Sequence, residues 1–333
     1  MKHLTIAIIY SLPTKRAQQS SFLVADEDTV LSAQKIAAAL TAKGATPLLV
    51  GLSEDRVQET IRSLHADLIF NLIDWTGKDL PLSLLSMDEL VLKDIPFTGA
   101  TRENFAYVDK VAMKKALERS HLPTPAWQIF HNGTEPVTAA FTYPVLVKLA
   151  HEHCSVGIEK SSLVANERDL VAVVRERLFR FGQDVFAEEF ISGREFQITV
   201  LEQENGPVML PVAEIIYKPS DSPEFLTFSE RWDETDPDYM RSTTVLAALS
   251  KEQQHMFEQI ALKTFRGLGF RDFTRIDARL RGNELLILEA NPNPGLDDDE
   301  LYSMTISARA AGFSFPDFLW AIVQSALRRV TKG

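Results

Sequence analysis

An α/β fold is what this sequence predicts, and three observations predict it. Short β-rich apolar runs alternate with helix-period stripes through roughly the first hundred residues. Closely spaced strand-like runs, joined at Gly and Asn, dominate the later half. No apolar run is long enough to cross a bilayer: the opening MKHLTIAIIYSLP is apolar only over Leu4–Tyr10, too short for a secretion signal and suited to a buried first strand.

Taken in order, Thr5–Tyr10 is the first strand. Glu27–Lys43 carries Val30, Leu31, Ile36, Ala37 and Leu40 as one helical stripe and is closed by Gly44. Thr46–Gly51 is a second strand, Glu54–Leu64 a second helix, Asp67–Ile73 a third strand, Leu82–Leu92 a third helix and Pro96–Gly99 a short fourth strand. Such alternation implies parallel pairing through right-handed crossovers, an open sheet of Rossmann-like type. Asp109–Ser120 is helical, and LPTPAW after it is a Pro-rich connection. Trp127–Phe130 and Pro144–Ala150 are strands, Glu167–Arg180 a helix, and Asp184–Phe190, Glu195–Glu202 and Val208–Ile216 strands again. Pro219–Asp238 is polar, irregular and long enough to suggest a functional loop. Ser250 caps an amphipathic helix reaching Leu268. Phe273–Leu280 and Glu284–Leu288 form a hairpin turning at Gly282–Asn283, and Phe315–Arg329 is a closing helix, basic in its last turn.

A chain of 333 residues allows two or three domain-sized units. Its net charge of −11 argues against nucleic acid or an anionic membrane as the main partner. With one cysteine, Cys154, no intramolecular disulfide can form, and a reducing cytoplasm fits.

The chemistry concentrates on the hairpin. Asp277 lies on its first strand; Glu289 ends the second and Asn291 follows two residues on, so both can share a face. A hairpin partner brings Asp277 beside them, giving an all-oxygen cluster suited to Mg²⁺. Arg275 shares the face of Asp277 and can hold an anion. Singly, Asp277 and Glu289 read as solvated strand-end acids. The run EANPNPG shifts that balance, because two prolines and a glycine fix a rigid turn directly after the acid and amide.

RID…LLILEANPNPG closely resembles the metal and phosphate segment of ATP-grasp enzymes, particularly the D-alanine–D-alanine ligase-like group. Further segments match in the family's order: YVDKVAMKK resembles its DK helix, YPVLVKLAHEHCSVGIEK its strand–loop–strand over the nucleotide phosphates, and FAEEFISGREF its adenine hinge; FNLIDWTGK is similar to an N-domain strand and loop facing the active site. Single short motifs are weak, but the ordered set is specific. The resemblance implies a Rossmann-like N-terminal domain followed by a two-lobed ATP-grasp fold, α+β in that part: 1–104 as the N-terminal domain, 105–190 as the central lobe and 191–333 as the C-terminal lobe. It implies an ATP-dependent ligase joining a small-molecule carboxylate to an amine through an acylphosphate. Asp277, Glu289 and Asn291 would bind two Mg²⁺ ions, with Mn²⁺ a substitute. Arg275 would hold the transferring phosphate and the tetrahedral centre, Ser155 with Val156 and Gly157 would end the phosphate loop, and Gly295 would shape the acceptor site. ATP would meet Lys110, Lys148 and Ser155 at its phosphates, Glu188, Glu189, Phe190 and Ile191 at the purine, and Glu195 at the ribose. Family members also suggest a homodimer through the N-terminal domain.

Three departures bear on substrate. His153 and Cys154 stand where the phosphate loop expects a glycine and a serine, and His151-Glu152-His153-Cys154 also offers transition-metal ligands. After Gly295 the run is Leu296-Asp297-Asp298-Asp299-Glu300-Leu301. Glu300 takes the position of a serine that holds the acceptor's carboxylate, so it reads either as a selector for a basic acceptor or as a solvated helix start. The turn after strand one lacks Gly, and Glu27 is the nearest candidate to grip the donor's amino group, with Asp26 and Asp28 as rivals. Lys218 and Tyr217 are noted beside the irregular segment. An acceptor other than D-alanine, an ATP-binding module without ligation and a carboxylate kinase are the competing readings.

Overall fold

Three sheets organise the computed structural model, which describes residues 3–20, 23–219 and 223–331. The first is built from β1 (Thr5–Ser11), α1 (Leu23–Ala42), β2 (Thr46–Leu52), α2 (Val57–Ser63), β3 (Leu68–Leu72) and α3 (Leu80–Lys93). Its strands pair in parallel in the order β2-β1-β3, as the alternation predicts. Ile6 and Ile8 face one layer and Ala7 and Ile9 the other, because strand side chains alternate. The expected fourth strand is only a bridge between Ile69 and Phe97. Pro96 has no N–H to extend a ladder, and Gly99 turns the chain at φ +78°.

α4 (Arg102–Phe105) and α5 (Lys110–Arg119) lead to the second sheet. Its strands are β4 (Trp127–Phe130), β5 (Val145–Leu149), β6 (Leu163–Val164) and, after α6 (Glu167–Phe181), β7 (Val185–Glu189), in the order β4-β7-β5-β6. The third sheet follows with β8 (Glu195–Gln203), β9 (Gly206–Met209), β10 (Ala213–Tyr217), α7 (Phe228–Trp232), β11 (Ser242–Leu246), α8 (Lys251–Gly267), β12 (Phe273–Arg281) and β13 (Glu284–Asn291). It runs β11-β10-β8-β12-β13, with β9 also on β8. The single strand expected over Val208–Ile216 is two, split around Pro211, which cannot donate to a ladder. α9 (Ser303–Ala310) and α10 (Phe315–Thr331) close the chain. Phe318, Leu319, Ile322 and Val323 of α10 bury against Ile6, Ile8 and Phe70 of the first sheet and Phe273 of the third. The C-terminal helix therefore joins the two ends of the molecule through one apolar core. The second and third sheets leave a cleft, and the first sheet closes one end of it.

Candidate active site

The hairpin register pairs Arg275 with Asn291 and Asp277 with Glu289. Cross-strand partners share a face, so all four line one cavity of about 310 Å³ between the sheets. A bulge follows Asp277 and ends the regular ladder there. Arg275 donates from Nε and Nη2 to Asp277 Oδ1 and Oδ2 at 2.8 and 3.0 Å. With its amide oriented to satisfy both ends, Asn291 donates to Glu289 Oε1 at 2.9 Å and accepts from Arg275 Nη2 at 3.2 Å. His153 Nδ1 lies 3.1 Å from Glu289 Oε1, and its Nε2 lies 2.6 Å from the Val108 carbonyl.

Burial pushes the Asp277 carboxyl up, and Glu289 and Glu195 add to this against the pull of Arg275. Burial acts the same way on Glu289, but His153, Lys110 and Arg275 outweigh it and hold that carboxyl well below the usual range. The Asp277 pairing outweighs burial at Arg275 and keeps the guanidinium charged. Two carboxylates and an amide, side by side and half-buried on the cavity wall, form a hard oxygen donor set of the kind Mg²⁺ takes.

Cations line the same cavity. Lys148 of β5 donates to Glu188 Oε2 at 2.8 Å, and the fully buried Lys114 of α5 pairs with the other oxygen. Glu188 is thus engaged by two lysines: burial pushes its carboxyl up, but Lys114 and Lys148 bring it below its ordinary value. Its place is beside Lys148, which it orients. Lys110 donates to the Glu152 carbonyl; burial lowers its pKa and Lys148 adds to this, against Glu289. At the far end the walls turn apolar, with Leu146, Ile191, Phe225 and Leu288. There Glu189 pairs with Arg281 at 3.1 Å, and Phe190 meets Phe225 edge-on. Glu195 accepts from Tyr217 Oη at 3.0 Å and Arg279 Nε at 3.1 Å.

Between these ends runs the loop 151–157. Cys154 and Ser155 both take left-handed backbone, at φ 52° and 63°, where glycine is the easier residue. The four side chains of His151-Glu152-His153-Cys154 diverge: His151 turns to Asp109, Glu152 to Gln183 and His153 to Glu289. Among the described residues no group of three His, Cys, Asp or Glu gathers as a metal site, so the transition-metal reading of this run falls. Part of the irregular segment is ordered as α7, and it fastens onto the loop: Trp232 Nε1 donates to the Cys154 carbonyl at 3.1 Å, and the Phe228 amide to that of Ile158 at 3.1 Å. Arg231, beside Trp232, lines the cavity.

Two expected substrate contacts are corrected. The Glu300 side chain is 88% exposed and its carboxylate lies 3.5 Å from Arg309, away from the cavity. Asp297 and Asp299 accept from the amides of Asp299 and Leu301 at 2.8 and 2.7 Å, and these local turns carry Glu300 outward before α9 begins. Lys218 is exposed and meets the fold through its amide, which donates to the Arg241 carbonyl at 2.9 Å; Tyr217 beside it does line the cavity. Glu27 falls within α1, but its side chain lies outside the described residues. Gly295 borders the cavity as expected, and Tyr302 covers it. Lys114, Arg279, Arg231, Trp232 and Tyr302 were not singled out in sequence, since each reaches the site from an element whose packing the motifs do not encode.

The family profile described as D-ala D-ala ligase C-terminus matches residues 117–324. A D-alanine–D-alanine ligase of Desulforudis audaxviator is 30% identical over 309 residues, covering 91% of this chain and 95% of that protein. One of Carboxydothermus hydrogenoformans is 27% identical, covering 87% and 90%. Among solved structures, a D-alanine–D-alanine ligase from Bacillus anthracis complexed with ATP superposes with a TM-score of 0.75 at 18% identity, over 99% of this chain and 100% of that one. A D-Ala:D-Ser ligase from Enterococcus faecalis gives 0.72 at 19%, over 98% and 100%. Fold and cavity together define an ATP-grasp enzyme, an ATP-dependent ligase that forms a C–N bond with ATP and a divalent metal. Within that class, the chain belongs to the D-alanine–D-alanine ligase family.

Proposed function

We propose that the chain phosphorylates the carboxylate of one amino acid and joins it to the amine of a second, with D-alanine the first compound to test on both sides. The observation that carries this is the convergence of Lys110, Lys148 and Arg275 with the Asp277–Glu289–Asn291 set on one cavity that ends in apolar walls. Phosphoryl transfer needs positioned cations more than covalent help. The apolar end, with Glu189, Phe190 and Ile191, suits adenine, and Glu195 suits the ribose. Lys110 and Lys148 suit the phosphates, and Ser155 sits where the loop meets them. A carboxylate oxygen attacks the γ-phosphorus and ADP leaves; the amine then attacks the acyl carbon and phosphate departs. Arg275 faces both centres as a fixed positive charge, and Gly295 borders the acceptor side of the cavity. Asp277, Glu289 and Asn291 would hold two Mg²⁺ ions, or Mn²⁺ in their place, which supply neutralisation of phosphate charge.

In this reading the units are 1–104, 105–190 and 191–333, with α10 packed back across the first. A homodimer through the first unit is part of it, supported by edge strand β2, which exposes Leu48 at 41% and Leu49 at 46%. A reducing cytoplasm keeps Cys154 a thiol. The test is phosphate release with ATP, Mg²⁺ and pools of D- and L-amino acids and amines. Release is expected to depend on an acid–amine pair. Asp277→Asn and Glu289→Gln are each expected to lower turnover on the order of a hundred-fold or more. Turnover within a few-fold of the parent in both variants would remove the metal assignment.

A further inference from the structure

Helix α5 brings two lysines, Lys110 and Lys114, to one of its faces, four residues apart. Lys110 borders the cavity, whereas the Lys114 side chain is fully buried. The Lys114 amine meets three acceptors: a carboxylate oxygen of Glu188, Thr124 Oγ1 at 2.6 Å and the Ile287 carbonyl at 3.2 Å. The Thr124 hydroxyl commits its own proton to the same carbonyl, at 2.8 Å. An ammonium has three donors and no acceptor, so these surroundings are built for the charged form. Burial lowers the Lys114 pKa, and Glu188 opposes that.

Glu188 links this lysine to the cavity. It pairs with Leu146 across β7 and β5, so it shares a sheet face with Lys148, two residues further along β5. Lys148 donates to Glu188 Oε2 at 2.8 Å, and both residues border the cavity. Two cations and one anion leave one positive charge over, and of the two cations Lys148 is the one on the cavity wall. With Lys114 removed, the buried Glu188 would keep Lys148 as the remaining cation of this triad. That pair would be neutral, and a buried carboxylate would hold its last cation firmly.

Resting on the ligase reading above, in which Lys148 meets the ATP phosphates, we propose that Lys114 is a positioning residue for nucleotide binding. It neutralises Glu188 from the protein side and so leaves the charge of Lys148 for the polyphosphate. Lys114 acts through Glu188 rather than on the nucleotide.

The experiment measures the dissociation constants of adenosine and of a non-hydrolysable ATP analogue, by calorimetry with Mg²⁺ present. The ratio of the first to the second reads the grip on the phosphates. Lys148→Met is expected to lower that ratio about ten-fold or more. Lys114→Met is expected to lower it by a similar factor, although the lysine is buried away from the cavity. Adding Glu188→Gln, which removes the acid but keeps an acceptor, is expected to restore the ratio to within about three-fold of the Glu188→Gln single variant. A lysine needed only for packing would not be rescued by that second change. If circular dichroism shows that Lys114→Met does not fold, the double variant is set against Glu188→Gln: a match within about three-fold supports the role, and a deficit of about ten-fold overturns it. An unchanged ratio in Lys114→Met, or a loss that Glu188→Gln fails to restore, overturns the role of Lys114 while Lys148 keeps its assignment. An unchanged ratio in Lys148→Met removes Lys148 from the phosphates and this inference with it, whereas ligation itself is judged separately by phosphate release from acid–amine pairs.

Discussion

At the scale of single residues, Asp109 illustrates how one side chain serves two structures. Its Oδ1 accepts from the Ala112 amide at 2.8 Å and caps α5, the helix that begins at Lys110, while Oδ2 lies 2.5 Å from His151 Nδ1 in the loop 151–157. The Asp109 hydrogen bond raises the His151 pKa, against burial. Burial raises Asp109, but the His151 bond outweighs it and the carboxyl is lowered. Both partners are charged between the lowered value of Asp109 and the raised value of His151. The stabilisation due to His151 is full below its unfolded value of about 6.5 and is lost as pH rises through the raised folded value. That due to Asp109 is present above about 3.9 and is lost as pH falls through the lowered one. Asp109→Asn should bring the His151 titration, followed by NMR, to lower pH; an unmoved midpoint would mean the pair is not formed in solution. Residue types were legible where register decides them: Asp277, Glu289 and Asn291 are fixed by hairpin geometry that the sequence encodes. Glu300 was not, because two aspartate-capped turns set its direction.

At the scale of elements, the turn between β7 and β8 is the tightest point. A Cβ on Gly193 would lie 2.0 Å from the Leu280 carbonyl oxygen, a backbone atom that cannot swing aside. The neighbouring Leu280 amide donates to the Arg194 carbonyl at 3.0 Å, so the turn is bonded to β12 and hence to the strand carrying Arg275 and Asp277. Gly193→Ala should cost about 1–3 kcal/mol by overpacking, read by urea denaturation. A variant as stable as the parent would show that the turn shifts freely. Elements with strong periodicity were legible, among them α8 with Ser250 accepting from the Gln253 amide at 3.2 Å. β11 was not, since its five residues are half-exposed and gain their strand identity only from pairing with β10. α7 was hidden for a related reason: its capping box at Thr227 and Glu230 is local, but only the bonds of Trp232 and Phe228 to the loop at Cys154 and Ile158 give it a place.

At the scale of the whole molecule, the first sheet is held to the third by polar groups around Gly99. Asp272, fully buried, accepts from the Gly99 amide at 2.8 Å and pairs with Arg329 of α10, which also donates to the Phe97 carbonyl at 2.6 Å. Arg271 Nε donates to the Gly99 carbonyl at 2.8 Å, and Asn293, within the NPNPG turn, donates to the Ile73 carbonyl at 3.1 Å. The NPNPG turn is thus tied to the chain just beyond β3, and that side of the cleft is positioned by contacts made at its floor. Arg329→Met leaves a buried carboxylate short of its cation and should cost about 3 kcal/mol. Hydrogen exchange should quicken over residues 97–105, with nucleotide affinity retained. Unchanged exchange there would show that the apolar face of α10 alone holds the ends together. This long-range tie joins positions more than a hundred residues apart in sequence, so no motif or local periodicity could have revealed it.

The left-handed turn at Cys154 and Ser155 has one more consequence. It carries the chain's sole thiol, Cys154, to the wall of the cavity, beside the tryptophan that α7 fastens onto the loop. Burial pushes that thiol up, which slows its alkylation relative to an exposed cysteine. The molecule therefore comes with a built-in reporter. A single thiol-reactive probe, added without engineering any residue, would label one atom on the wall of that cavity.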